Sequence, residues 1–377
     1  MKLDDLNICV TGKGFIGSYL KIFLNINKAQ KIIFLSRKDF QNKSLLKKKI
    51  KDVDIIFHNA SSVKKTKTVI KENIRLTETL ISSINESKLK VFVQFGTTHE
   101  KLNNFYGISK KDSYKKIKYF CKNKKITLFK YTIPNVYGCF YKPYHNSFIS
   151  TLIYEFIKND NVDSIKNLEL NKCLELTFVN DLICKIINDL KSFNFNNQKN
   201  LLFEKKVTGK VISIGSFLNK VKLLNNQINS NIYKYTSILE KNIINIILSY
   251  HFTLKKNIKV PAIKFDDRGF LYEANKSIGC NHSFLSSSYK NAIRGNHFHT
   301  NKFEIFHIIN GEAIIILKNL FNNSSRKYIL NDNNKSFLVI PPFVNHTFIS
   351  NKNNTIGLFF SSEIFDTLKP DTYKYEL

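Results

Sequence analysis

No apolar run in this chain approaches the length that spans a bilayer, so no membrane helix is expected. The N-terminal MKLDDLNICVTG runs directly into a strand-like segment and shows no signal-peptide pattern. The 6 cysteines (Cys9, Cys121, Cys139, Cys173, Cys184 and Cys280) include no C-x-x-C pair. That spacing speaks against a thiolate zinc site and for reduced thiols in a cytoplasm. Acidic charge is scarce, with 29 Asp and Glu against 59 Lys and Arg, a formal net charge of +30. Such a balance invites a nucleic-acid reading, but the excess is almost all Lys; Arg stands only at Arg37, Arg75, Arg268, Arg294 and Arg326. Lys47-Lys48-Lys49 and Lys64-Lys65 are short runs, and no aromatic-basic alternation marks a strand-binding groove. No nucleic-acid partner is expected. A positive field would instead draw an anionic substrate such as a nucleotide sugar.

What is present suffices for two domains, since 377 residues at 43% hydrophobic exceed one ordinary core. Strand and helix patterns alternate through the first part, which predicts a doubly wound parallel sheet, α/β in class. Near Leu248 short alternating strands with turns take over, the pattern of an all-β sandwich or barrel. The expected division is residues 1–250 and 251–377.

The stretch Val91 to Lys111, VFVQFGTTHEKLNNFYGISKK, concentrates the chemistry. VFVQF reads as a buried parallel strand, and Gly96-Thr97-Thr98 lies at its C-terminal end, where open α/β sheets bind ligands. A helix over Phe105 to Asn123 stacks Tyr106 and Lys110 on one face. An ammonium beside a phenol favours the phenolate. A hydroxyl at Thr97, or failing that Thr98, can hold a carbonyl oxygen next to the phenol. Such a trio protonates a carbonyl as a hydride arrives.

Upstream, Leu6 to Thr11 reads as strand one, followed by Gly12-Lys13-Gly14-Phe15-Ile16-Gly17 and a helix from Ser18 to Asn25. Between strand and helix, the glycines permit a tight turn and close approach of a pyrophosphate to the helix N-terminus. The second strand, Lys31 to Leu35, ends in Ser36-Arg37-Lys38. Cations rather than a carboxylate there favour the 2′-phosphate of NADPH. Asp54 to Phe57, expected as a fourth strand, leads to His58-Asn59-Ala60, where small residues let the backbone approach the cofactor; His58 reads equally as a packing or a substrate residue. A helix is expected near Ile70 to Glu86 and a strand at Ile126 to Tyr131, before Pro134-Asn135-Val136-Tyr137-Gly138. The loop Phe140-Tyr141-Lys142-Pro143-Tyr144-His145-Asn146-Ser147 can stack a base or contact a diphosphate, or be plain surface. Leu176 to Asp181 suggests a late strand and helix cap, and residues 192–230 are uninformative.

In the second part, Asn310-Gly311 between Phe303–Ile309 and Glu312–Lys318 predicts a hairpin. His297 and His299 are two apart and face one way on a strand. With Glu304 and His346 they make a divalent metal site, zinc first; the alternative is sugar binding without metal. His307 has the opposite parity to Glu304 and reads as structural.

The ordered motifs T-G-x-G-F-I-G, H-N-A, G-T-T, Y-x-x-x-K and P-N-V-Y-G resemble the extended short-chain dehydrogenase/reductase superfamily. The resemblance implies a Rossmann-type domain in which Tyr106 is the proton donor or acceptor, Lys110 its partner and a cofactor contact, and Thr97 the positioning hydroxyl. It implies cofactor contacts at Gly12, Gly14, Phe15, Ile16, Gly17, Arg37, Lys38, Asn59, Ala60, Pro134 and Val136, and substrate contacts at Asn135, Lys142, Tyr144, Asn146 and Ser147. The glycine turn is one residue shorter than that superfamily's usual loop. The pattern H-x-H-x4-E-x6-G followed by P-x-x-x-x-H resembles the cupin barrel, except that Phe343 stands where a Gly is usual and Ser350 where an Asn is usual. Asp266-Asp267-Arg268-Gly269, Arg294-Gly295-Asn296-His297 and Phe365-Asp366 through Pro370-Asp371-Thr372-Tyr373 extend the resemblance to bifunctional enzymes of capsular polysaccharide precursors. These imply a homodimer acting on a UDP-linked 4-keto-6-deoxy amino sugar, by C3 epimerisation in the cupin and NADPH-dependent C4 reduction. A plain nucleotide-sugar 4-ketoreductase with a structural barrel, and a non-catalytic NADP-binding regulator, remain as rivals.

Overall fold

The computed structural model describes residues 3–63, 66–84, 88–145, 147–159, 165, 168–193, 201–261, 263–267, 269–273 and 282–375. In chain order these form β1 (Asn7–Thr11), α1 (Phe15–Ile26), β2 (Lys31–Leu35), α2 (Lys43–Lys49), β3 (Ile55–His58), α3 (Thr68–Ile81), β4 (Val91–Thr97), α4 (Phe105–Asn123), β5 (Thr127–Ile133), β6 (Asn135–Tyr137), α5 (Phe148–Asn159), β7 (Cys173–Phe178), α6 (Val179–Lys191), β8 (Leu202–Lys206), β9 (Lys210–Ser213), α7 (Ile214–Asn229) and α8 (Ile238–Thr253). The β-rich remainder is β10 (Ile258–Lys259), β11 (Ile263–Asp266), β12 (Gly269–Tyr272), β13 (His282–Ser288), β14 (Ile293–Phe298), β15 (Glu304–Asn310), β16 (Glu312–Asn319), β17 (Ser325–Asn331), β18 (Phe337–Ile340), β19 (Val344–Ser350), β20 (Thr355–Ser361) and β21 (Tyr373–Lys374). Two compact units result: Met1–Tyr137 with Cys173–Ile212, and Gly138–Lys172 with Ser213–Leu377. Among the described residues no helix is long and apolar enough to cross a membrane.

The first unit is built on a parallel sheet in the order β2-β1-β3-β4-β5-β8. Its inner strands β1, β3, β4 and β5 are almost wholly buried, with both faces covered, whereas the edge strand β8 (LFEKK) alternates with exposed residues. α1 packs with α6, and α3 with α4. Ile56 and Phe92 from the sheet meet Leu76, Leu80, Tyr114 and Ile117 in one core. The segment expected as a fourth strand is the third, since α2 rather than a strand separates β2 from β3. α4 has the bounds its pattern predicts. The Asn104 side chain caps it by accepting from Gly107 N–H at 2.8 Å, and Lys125 ends it in the left-handed region at φ 54.

In the second unit α5 and α7 pack on α8. Two antiparallel sheets follow, β10-β18-β15-β20-β13 and β17-β16-β19-β14-β21. Phe306, Ile315, Leu317, Leu338, Phe348 and Phe359 share their core. Asn310-Gly311 reverses the chain, with Gly311 at φ +85, yet the expected hairpin does not form. β15 lies between β18 and β20, while β16 lies between β17 and β19 in the other sheet. The turn dictates a reversal; which neighbours hydrogen-bond is decided by where each strand buries its apolar side. Gly is required there, because a Cβ would lie 2.7 Å from Thr355 Oγ1.

Candidate functional site

The glycine turn between β1 and α1 combines crowding with open space. Gly12 has φ +88, and a Cβ on it would meet Ala60 at 3.1 Å; a Cβ on Gly17 would lie 2.0 Å from Gly12 O. A Cβ on Gly14 would meet nothing within 4 Å. Gly14 is also the N-cap of α1, with no side-chain cap and no acidic residue in the first turn, which Phe15 and Ile16 open. The N-terminus of α1 therefore opens on a cradle suited to a pyrophosphate. After β2, Arg37 and Lys38 are exposed. The carboxylate next in sequence, Asp39, is held by Ser36 N at 2.6 Å, Ser36 Oγ at 2.7 Å and Lys49.

His58 takes the packing option in a buried hydrogen-bonded chain. Thr11 Oγ1 accepts from Asn59 N at 3.1 Å and Ala60 N at 3.0 Å, which leaves its proton for His58 Nδ1 at 3.1 Å. His58 Nε2–H then donates to Thr77 Oγ1 at 3.2 Å, and Thr77 to Asn73 O at 3.0 Å. Asn73 in turn accepts from Ser62 N at 2.6 Å and donates to Ser62 O and Ser109 Oγ at 3.0 and 2.9 Å. Ser109 donates to the Tyr106 carbonyl at 2.7 Å. The end of β1 is thus tied to α4 by a hydrogen-bonded relay that passes through the Asn73 main-chain carbonyl and ends on that of Tyr106. Burial, helped by Lys110, brings the His58 pKa down to about 3, and the imidazole is neutral.

Tyr106 and Lys110 lie one turn apart on α4, Tyr106 partly exposed and Lys110 only 5% exposed. Burial lowers the Lys110 pKa to about 8; Glu100 opposes that shift and Lys130 adds to it. Gly107 lets α4 press on the preceding turn, since a Cβ there would lie 2.0 Å from His99 O. That turn begins at Thr97, whose hydroxyl accepts from His99 N at 3.3 Å while Glu100 Oε1 accepts from Thr97 N at 3.0 Å. Glu100 Oε2 pairs with Lys130 Nζ at 2.6 Å. His99 stands edge-on to Tyr106, ring centroids 6.2 Å apart. Thr97, Tyr106 and Lys110 therefore belong to a strand end and a helix start joined by one capped turn.

Of the remaining expected contacts, Pro134 is buried, Val136 half-buried and Asn135 exposed in the first unit. In the second unit Lys142 and Tyr144 are exposed, whereas Ser147 is buried and its Oγ accepts from Ser150 N at 3.1 Å, at the start of α5. Asn146 lies outside the described residues.

The second unit brings His297, His299, Glu304 and His346 together, their ligand atoms all within 4.8 Å. β14 and β19 pair His297 with His346, placing the Nε2 atoms 3.1 Å apart. Gly295 at φ +84 brings the two strands close; a Cβ would lie 2.7 Å from His346 O. Glu304 approaches His346 Nε2 at 3.1 Å and His299 Nε2 at 3.3 Å. Burial alone would raise the Glu304 pKa, but the imidazoles of His299 and His346 beside it bring it well below the carboxylate range. Burial and the two neighbouring imidazoles lower His297 to about 4. His299 Nε2, buried, makes no hydrogen bond. Three imidazoles and a carboxylate converging with an orphaned lone pair fit a divalent cation. Phe343, where the motif usually has Gly, adopts φ 62 and donates its N–H to His299 O at 2.7 Å, so the left-handed backbone is kept without the glycine. His307 stands outside the cluster, with Nδ1 donating to Ser336 O at 3.0 Å and Nε2 accepting from Tyr272 at 2.7 Å.

Sequence reasoning missed Glu100, Lys130 and the Asn73–Ser109 link. Thr97-x-x-Glu100 is a capping-box signature, and Lys130 is a lone cation in the apolar run TLFKYTI; both signals were there to find. Asn73 had none.

Residues 8–188 match the NAD dependent epimerase/dehydratase family, which implies a nicotinamide cofactor, and residues 264–373 match the polysaccharide biosynthesis C-terminal domain. The chain is 21% identical over 374 residues to the UDP-2-acetamido-2,6-beta-L-arabino-hexul-4-ose reductase of Pseudomonas aeruginosa, covering 98% of each chain. Its fold is that of the capsular polysaccharide assembling protein CapF from Staphylococcus aureus, with TM-score 0.58 at 21% identity over 99% of this chain and 100% of that one. CapF with the inhibitor 3-isopropenyl-tropolone aligns at TM-score 0.54 and 21% identity, with the same coverage.

Proposed function

We propose that the chain is a bifunctional UDP-sugar enzyme. Residues 1–250 form an NADPH-dependent reductase with its nucleotide-sugar part, and residues 251–377 a cupin, a double-stranded β-helix. The cupin inverts C3 of a UDP-2-acetamido-2,6-dideoxy-4-keto-hexose. The reductase then acts at C4, giving UDP-2-acetamido-2,6-dideoxy-L-talose on the way to UDP-N-acetyl-L-fucosamine. The observation that carries this reading is the presence, in one chain, of the Tyr106–Lys110 helix turn and the buried His297, His299, Glu304 and His346 cluster. The reductase named for Pseudomonas aeruginosa, similar end to end, supports it.

The order of steps follows from the carbonyl. A 4-ketone acidifies the C3 proton, so inversion precedes reduction, and reduction then locks the new stereocentre. NADPH, when bound, supplies the hydride. Thr97 holds the C4 oxygen, Tyr106 gives it a proton as the alcohol forms, and Lys110 stabilises the phenolate left behind. Arg37 and Lys38 would meet the 2′-phosphate. His297, His299, Glu304 and His346 would hold a divalent ion, zinc first, which supplies positive charge beside a developing enolate. The enzyme acts as a cytoplasmic homodimer.

The test is direct. Purified protein with the UDP-4-keto sugar and NADPH in deuterated water should consume NADPH and yield an alcohol carrying deuterium at C3, identified by NMR. Tyr106→Phe should slow NADPH consumption by roughly 10²–10⁴. No NADPH consumption with any UDP-4-keto sugar overturns the reading. Reduction without deuterium at C3 leaves a plain 4-ketoreductase, and a silent Tyr106→Phe a non-catalytic NADP-binding protein.

A further inference from the structure

The tail sequence Pro370-Asp371-Thr372-Tyr373 has no part in the chemistry described so far. It returns to the sheet edge that carries His297. β21 pairs with β14, Lys374 opposite His297 and Tyr373 opposite Phe298. Just before that strand, the Asp371 carboxylate gathers donors from three consecutive residues. Oδ1 accepts from Thr300 N at 2.8 Å and Thr300 Oγ1 at 2.7 Å, and Oδ2 from Asn301 N at 2.8 Å and Lys302 N at 3.1 Å. These residues are the link between His299 and Glu304. One side chain therefore holds the loop that spaces two members of the cluster.

The main chain of the same residue touches the cluster itself, for the Asp371 carbonyl oxygen bonds His299 Nδ1. A carbonyl only accepts, so Nδ1 carries the proton, and in the neutral imidazole Nε2 keeps its lone pair. That is the atom left without a hydrogen bond, 3.3 Å from Glu304 Oε1. Tautomer and ring rotation of His299 are both set from the tail, the part an acceptor behind a ligating imidazole plays.

We propose that Asp371 is a positioning residue of the His297, His299, Glu304 and His346 centre, fixing the ligand loop through its carboxylate and the donor nitrogen of His299 through its carbonyl. The inference rests on the reading of that cluster as a divalent-cation site. Asp371→Ala removes the anchor for four donors and lets the carbonyl drift. Asp371→Asn keeps one acceptor oxygen but sets an NH₂ against the N–H groups of Asn301 and Lys302, an intermediate lesion.

Full-length wild type, Asp371→Ala and Asp371→Asn are titrated with Co²⁺ against a chelator, and the visible spectrum of the bound Co²⁺ is recorded. Circular dichroism of the cation-free proteins selects the folded ones; should Asp371→Ala fail to fold, Asp371→Asn carries the comparison. Wild type should bind one Co²⁺, and the variants should bind roughly 10–100-fold more weakly, Asp371→Asn the less affected, with a shifted ligand-field spectrum. A folded variant with wild-type affinity and an unchanged spectrum overturns the proposal. Wild type that takes up no Co²⁺ removes the cation reading itself, a different result.

Discussion

Glu100 and Lys130 form an ion pair at 2.6 Å, their side chains only 10% and 11% exposed, between the turn after β4 and the strand β5. The same carboxylate holds the Thr97 N–H at 3.0 Å, and its charge opposes the fall in the Lys110 pKa. Gly96 makes this possible, because a Cβ there would lie 2.6 Å from Glu100 Oε1 and 3.0 Å from Lys130 Cε. One anion thus fixes a backbone and balances two buried ammonium groups.

Glu100→Gln should accordingly move the pH profile of reduction. Lys110 sits at about 8 with Glu100 present. Without that anion the ammonium is less favoured, so Lys110 loses its proton at a lower pH. The alkaline limb of kcat should shift down by about one pH unit, with slower reduction at pH 8 and a smaller loss at pH 6. Steady-state rates of NADPH oxidation from pH 6 to 9 measure it. An unmoved alkaline limb would show that Glu100 acts on the fold alone.

Much of this arrangement is legible in the sequence. VFVQF is a strand because its residues face covered surfaces on both sides, and α4 begins at a capping Asn104. The glycine turn is marked by spacing, and the histidine cluster by the two-residue spacing of His297, on β14, and His299, just past its end. Local rules stop at long-range pairing. Asn310-Gly311 announces a reversal, but only the packing of two sheets decides that β15 and β16 part company. Glu100 meets Lys130 across 30 positions and Asp371 meets Thr300 across 71. Nothing local distinguishes those carboxylates from solvated ones. His58 was undecidable for the same reason: its partners Thr11 and Thr77 lie 47 and 19 positions away.

Acid should weaken the fold through buried neutral imidazoles. The His58 pKa is about 3 in the folded chain against an ordinary 6.5, and burial brings His251 to about 3 as well. The unfolded chain takes up protons first as pH falls, so stability is full above pH 6.5 and declines from there toward pH 3. His58→Asn removes one contributor to that slope and breaks the Thr11–Thr77 link. The variant should be less stable than wild type at pH 7, and the gap should narrow on going to pH 4. Urea unfolding across that range follows it. A constant gap would mean that His58 titrates alike in folded and unfolded chains.

Cofactor choice should rest on the exposed cations after β2. The neighbouring carboxylate, Asp39, is bound to Ser36 and Lys49, and Arg37 and Lys38 face solvent at the strand end. A guanidinium engages a phosphate through paired charge-assisted hydrogen bonds, and it gains nothing comparable from a hydroxyl. Arg37→Glu replaces that attraction with repulsion toward a 2′-phosphate while offering an acceptor to hydroxyls. The KM for NADPH should rise by roughly tenfold or more, with kcat at saturation little changed, and the KM for NADH should fall or hold. The comparison needs both cofactors with one keto sugar. Arg37→Gln separates loss of attraction from new repulsion and should give a smaller rise for NADPH. Equal effects of Arg37→Glu on the two cofactors would show that Arg37 does not face the 2′-phosphate.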